Sequence, residues 1–154
     1  MAPVTQSYGQ SVPTTDRGKD ELLDRLSAHA AHIGTATPTG VDVDTVLRTF
    51  YRHVAPEDLA DRIEADLLGA AISQVRLAAE RPQGTAQVRV STPTESANGW
   101  SAQGHSVVQV ITDDMPFLVD SVSMALAATN HDVHQLIHPQ VVVRRDMAGE
   151  LREL

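Results

Sequence analysis

The side chains best suited to chemistry are gathered in the last third of the chain. Asp113, Asp114 and Asp120 stand close enough to act as a carboxylate cluster for acid-base work or for a divalent cation. The simpler reading is structural: Asp114 caps the helix that follows and Asp120 favours its positive end, the usual place for carboxylates. His131, His134 and His138 raise the question of zinc, but on a strand only His134 and His138 share a face, while His131 has opposite parity. No cysteine is present to complete such a set. The expectation is therefore no metal and packed or solvated imidazoles. Ser121 and Ser123 lie within a helix pattern and lack a nucleophile elbow. No G-x-G-x-x-G or phosphate-loop arrangement occurs, so neither a catalytic centre nor a cofactor site is expected in this chain. Arg144, Arg145 and Arg152 form the one locally basic patch. They would either grip an acidic ligand or blunt a strand edge, and the second is the favoured reading.

The elements that must hold these groups follow from composition and period. The chain has 154 residues, 42% of them hydrophobic and 3% aromatic, so its core must be built from Val, Leu, Ile and Ala. Twelve Lys plus Arg against 20 Asp plus Glu give a formal charge of -8, which repels a phosphate backbone and makes nucleic acid an unexpected partner. There is no apolar run of membrane-spanning length and no signal-peptide pattern. Together with the absence of cysteine this points to a cytoplasmic protein with no membrane partner.

Residues 1–18 are polar and are expected to form a disordered tail. Residues 19–82 should be a helical segment. Leu22, Leu23, Leu26, Ala30 and Ile33 recur at helical spacing up to a stop at Gly34, and a breaker-rich loop runs from Thr35 to Gly40. A second helix should start near Asp42 or Asp44 and reach about His53. A third is expected from Pro56 to Glu80, with Gly69 as its candidate break and Leu59, Ile63, Leu67, Ala70, Ala71, Val75 and Leu77 inward. Residues 85–154 should form an α+β unit. It begins with a short strand over Ala86–Val90, followed by a turn-rich loop in which Trp100 either anchors a partner or folds back over the local core.

After that loop come a buried strand run over Ser106–Thr112, a turn at Asp113–Pro116 and a helix through Thr129 with Leu118, Val122, Ala125 and Leu126 on one stripe. Asn130 supplies a left-handed close. An extended segment over Val133–Val143, a hairpin turn at Asp146–Gly149 and a last strand from Glu150 complete the pattern. Strand, helix, strand, turn, strand is the first part of a ferredoxin-like βαββαβ unit. The fold class is thus α+β, an N-terminal helical segment followed by a truncated βαββ unit.

The stretch Thr112-Asp113-Asp114-Met115-Pro116-Phe117-Leu118-Val119-Asp120-Ser121-Val122, with His138-Pro139-Gln140 and Arg144-Arg145-Asp146 after it, resembles the amino-terminal region of the large bacterial NAD-specific glutamate dehydrogenases. Phe50-Tyr51-Arg52-His53-Val54, Pro56-Glu57-Asp58-Leu59 and Gly99-Trp100 are similar to the same family in the same order, so the resemblance covers about residues 43–154. It implies an ACT-type regulatory unit of an enzyme that oxidises L-glutamate to 2-oxoglutarate with NAD, the catalytic domains lying elsewhere. It also implies that the partners are the rest of that polypeptide and sister subunits, with an amino-acid effector as a candidate ligand. The family-type motif residues are Asp113, Asp114, Met115, Pro116, Phe117, Asp120, Ser121, His138, Pro139 and Arg144. Many amino-acid-binding ACT domains carry glycine after the turn proline, where bare backbone lets a ligand approach. Phe117 occupies that place here, so packing or subunit contact is expected there rather than a free amino acid. The alternative is a free-standing ACT-type amino-acid sensor.

Overall fold

A computed structural model of the chain describes residues 15–37 and 40–154. Most of the expected tail and residues 38 and 39 of the expected loop lie outside the described residues. The described part of the tail is helical, because Thr15 accepts a hydrogen bond from the Gly18 amide and starts α1 (Asp16–His32) before the expected boundary. α1 stops at Gly34, whose φ of 67° suits a residue without Cβ. The Gly34 amide donates to Ala31 and the Thr35 amide to Ala30, the paired bonds of a Schellman close.

Asp42 caps α2 (Val43–Phe50) by accepting from the Thr45 amide at 2.9 Å. Pro56 opens α3 (Pro56–Ala60), and α4 runs over Glu64–Ala78. The expected single helix is therefore broken at residues 61–63 and not at Gly69. The consequence is that Ile63, expected in the core, is exposed. Leu22, Leu23, Leu26 and Ala30 of α1 pack with Val46 and Leu47 of α2, with Tyr51 and Leu59, and with Leu67, Leu68, Ala71, Ile72 and Val75 of α4. Each fully buried leucine contributes about 1.5–3 kcal/mol relative to exposure. Tyr51 is buried among them and donates its hydroxyl to the Leu67 carbonyl at 2.7 Å, so the one polar atom of that ring is satisfied. Lys19 ties α1 to the chain beyond α2 by donating to the carbonyls of Arg52 and Val54. Burial holds its ammonium below the ordinary lysine pKa.

The second half has α+β character but not as one sheet. β1 (Gln87–Ser91) pairs antiparallel with β2 (Val107–Ile111), with α5 (Glu95–Asn98) in the connection. α6 (Leu118–Ala128) follows, and β3 (Arg144–Arg145) pairs with β4 (Leu151–Glu153) in a separate two-stranded sheet. The extended segment over residues 133–143 joins no ladder, and the strand lies just beyond it at Arg144–Arg145. The expected stripe of α6 is not buried either. β2 also corrects the expectation of a buried apolar run: its one buried residue is Gln109. Arg89 and Gln109 are cross-strand partners on the face toward α4, where Arg89 donates to the Ser73 carbonyl and hydroxyl and Gln109 to Gln74. Val88, Val90, Val108 and Val110 are placed on the opposite face by strand alternation, while Val107 shares the face of Gln109.

Leu151 inserts into the helical core, and its amide donates to the Ala79 carbonyl at 2.8 Å. Among the described residues no helix is long and apolar enough to cross a membrane.

Trp100 is buried over Gly69, which settles its role as a cover of the local core. A Cβ at Gly69 would stand 2.2 Å from the indole Cγ. Alanine improves helix propensity by about 1 kcal/mol, but overpacking of this kind costs about 1–3 kcal/mol. Gly69→Ala is therefore expected to lower stability by up to about 2 kcal/mol. Denaturant unfolding checks this, and a gain in stability would contradict the close approach.

Candidate functional site

The turn leaving β2 divides its two leading carboxylates between different tasks. Asp113 accepts from Arg81 at 2.5 Å, and Arg81 is buried with its other terminal nitrogen on the Thr85 carbonyl. The Arg81 bond holds the Asp113 carboxyl below the ordinary carboxylate range. Asp114 accepts from the Gln140 side chain at 3.2 Å and does not cap α6. The cap position belongs to Phe117, which offers no side-chain acceptor and sits at φ 61°, in the left-handed region. Asp120 lies in the first turn of α6 as expected, beside the positive helix end. Asn130, at φ 58°, ends the turn after α6 as expected.

An open cleft of about 440 Å³ forms where this turn meets residues 138–140. Asp114, Met115, Pro116, Phe117, Asp120 and His138 line it, so six of the expected motif residues come together. Leu118, Val119 and Gln140 complete the lining. Asp113, Ser121, Pro139 and Arg144 do not line it: Asp113 turns to Arg81, and Arg144 pairs with Glu153 in the hairpin. The Phe117 side chain is 77% exposed, so it gains little burial from the strained backbone it occupies.

The histidines fall into three separate environments. His131 contacts the Thr129 hydroxyl, the His134 ring meets His105 edge-on, and His138 stands in the cleft. The basic patch is likewise consumed internally. Arg152 pairs with Asp146 and Glu150, and Arg145 donates to the carbonyls of Ala78 and Gly149. Burial, followed by the neighbouring charge of Arg81, holds the Arg145 pKa below its ordinary value.

Arg81 is the residue the sequence reading missed as a positioning group. It sits in a helix-breaking Arg-Pro-Gln-Gly stretch that reads as a plain stop. Its backbone amide bonds Gly149 while its side chain holds Asp113, so one residue orders the hairpin and the motif turn together.

Residues 46–154 match the family described as glutamate dehydrogenase, ACT1 domain, and the chain belongs to that family. The matched span includes the last five residues of α2, all of α3 and α4, and both small sheets. The NAD-specific glutamate dehydrogenase of Pseudomonas aeruginosa is 34% identical over 129 residues, which is 83% of this chain and 8% of that protein. The NAD-specific glutamate dehydrogenase of Halomonas elongata is 38% identical over 136 residues, 88% of this chain and 8% of that protein. The chain thus spans about 8% of the length of these relatives. No solved structure matches it.

Two measurements follow from the turn. Phe117→Gly removes a left-handed strain of about 1–2 kcal/mol and little burial, so it is expected to leave stability unchanged or raise it by up to about 1 kcal/mol. A clear loss in thermal unfolding would contradict the backbone assignment. Because the Asp113 pKa is depressed in the folded chain, its contribution is present above the unfolded carboxyl value, about 3.9, and disappears as pH falls through the folded value. Asp113→Asn should therefore flatten the fall of stability with pH below about 4, leaving the slope near neutrality unchanged. A steeper acid slope in the variant would oppose this role.

Proposed function

We propose that this chain, as a member of the glutamate dehydrogenase ACT1 domain family, is a regulatory and assembly module of an NAD-dependent glutamate dehydrogenase and does not itself carry out the redox step. The enzyme it serves would convert L-glutamate and NAD to 2-oxoglutarate, ammonia and NADH, with NAD held outside this chain. Its partners would be the rest of that enzyme and sister subunits, in the cytoplasm. Residues 19–82 would act as a helical platform, and residues 85–154 as an ACT-type unit whose ferredoxin-like βαββ arrangement is reached when neighbouring protein covers it.

The observation that carries this reading is the contrast between the two halves. The helices bury their apolar stripes in one cluster, whereas the second half leaves Phe117, Met124, Val142 and Met147 largely exposed and presents Val88 and Val90 to solvent. Large exposed apolar surface rimmed by polar residues marks protein contact.

An amino-acid sensor is the second reading, because six motif residues share one cleft. That cleft carries Asp114 and Asp120 and no arginine or lysine, which disfavours the carboxylate of a free amino acid and favours a protein surface instead.

Purified chain is expected to give no glutamate-dependent NAD reduction and to self-associate with rising concentration in sedimentation velocity. The double change Met124→Glu and Val142→Glu should reduce that association while leaving the thermal midpoint nearly unchanged, since both side chains are exposed. Turnover, or a strictly monomeric chain at every concentration, would sink the proposal.

A further inference from the structure

A second cleft, of about 410 Å³, lies between the end of α1, the middle of α4, β1 and the α5 connection, and shares no residue with the motif cleft. Its charged lining is of one sign. Arg76 and Arg89 contribute guanidiniums and His29 an imidazole, while no aspartate or glutamate lines it. In a chain with 20 acidic and 12 basic side chains, such a lining runs against the overall charge.

Arg89 is the informative residue. It is half-buried, and its Nε and one terminal nitrogen are held by Gln109 and Ser73, all neutral acceptors. Among the described residues Arg52, Arg62, Arg76, Arg89 and Arg145 have no carboxylate within ion-pair distance, and of these only Arg76 and Arg89 line a cleft together. A half-buried cation ordinarily takes a carboxylate partner. Here the place beside it is open space. The rest of the lining mixes polar groups, among them Thr35, Ser73, Ser91 and Asn98, with apolar side chains that include Ile33, Leu68, Ile72 and Trp100.

We propose that this cleft binds a small aliphatic carboxylate, whose anionic end is received by Arg89 and Arg76 and whose hydrocarbon stem lies against Trp100 and Ile72. Guanidinium matches carboxylate through two parallel N–H donors, so Arg76 and Arg89 suit a carboxylate better than a spherical anion. The volume is in the range of small-molecule sites and admits a short dicarboxylate. The inference stands apart from the motif cleft and from the assembly role.

Trp100 is the only tryptophan and supplies the readout. The 154-residue chain is titrated with glutarate, succinate, the neutral diamide glutaramide and inorganic phosphate while its fluorescence is followed. Glutarate or succinate should give a saturable change that weakens with added salt. Arg76→Gln, at an exposed position, should weaken it about tenfold or more with an unchanged thermal midpoint. Ile33→Glu, which brings a like charge to the exposed rim, should do the same. No saturable change with either dicarboxylate up to about 10 mM would overturn the proposal. So would equal binding of glutaramide or phosphate, or full affinity in both variants.

Discussion

α4 is packed on two sides of opposite character, and the rest of the structure depends on it. One side, through Leu67, Leu68, Ala71, Ile72 and Val75, closes the aliphatic core with α1 and α2. The other presents Ser73 and Gln74 to Arg89 and Gln109 of the β1–β2 ribbon. A helix that offers hydroxyl and amide groups to a sheet selects polar side chains on the facing strands, because a buried donor or acceptor left without a partner costs about 1–3 kcal/mol. Strand alternation then forces Val88, Val90, Val108 and Val110 to the far face. The exposure of Val88 and Val90 is thus a direct consequence of which side of α4 meets the ribbon.

The carboxyl end of α4 binds the remaining parts. Its last carbonyls would be orphans, and the hairpin supplies their partners: Arg145 donates to Ala78 and the Leu151 amide to Ala79. Positive charge at a helix C-terminus is favourable as well. The approach is close enough that Gly149, at φ 89°, would bring a Cβ to 2.5 Å from the Arg81 carbonyl oxygen. Arg81 then carries the connection from the hairpin to Asp113. Of the arginines that look like a ligand-gripping patch in the sequence, Arg145 is consumed in this work and Arg144 and Arg152 pair within the hairpin, whereas the two that line a cleft are Arg76 and Arg89, which no local pattern distinguishes.

This division explains what the chain discloses in one dimension. The helical half is legible because its signals are local: Leu22 to Ala30 keep one period, Asp42 caps within three residues, and Gly34 closes its own helix. α6 and the left-handed Asn130 are legible on the same ground. The break at residues 61–63 is not, since Gly69 is the stronger breaker by propensity. The decisive fact is the indole of Trp100, which fills the space a side chain at Gly69 would need and comes from 31 positions further along the chain. The polarity of β1 and β2 is hidden for a related reason: alternation tells which residues share a face, not which face meets the helix. The run over residues 133–143 shows the limit of strand propensity, which measures fit to a sheet and needs a neighbouring strand to be realised. Asp114 fails as a cap because Phe117 places the helix start three residues later.

The motif cleft and the valine face belong to one argument about partners. Phe117 holds a left-handed backbone in which glycine would be free, and its ring is left outside the core. Strain of about 1–3 kcal/mol persists where the surroundings over-determine it. Arg81 fixes the turn on one side through Asp113 and Gln140 on the other through Asp114, so the ring is held out by polar bonds and not by packing. An aromatic group presented in this way, next to two carboxylates and a row of apolar side chains, offers a protein neighbour an anchor and an orientation at once. The same fixation would be poor design for a small ligand, which would meet negative charge where its own carboxylate must sit. The two clefts therefore sort by charge, the first lined by Asp114 and Asp120 without a basic group other than His138 and the second by Arg76, Arg89 and His29 without a carboxylate, so the proposed protein contact and the proposed anion site make opposite electrostatic demands.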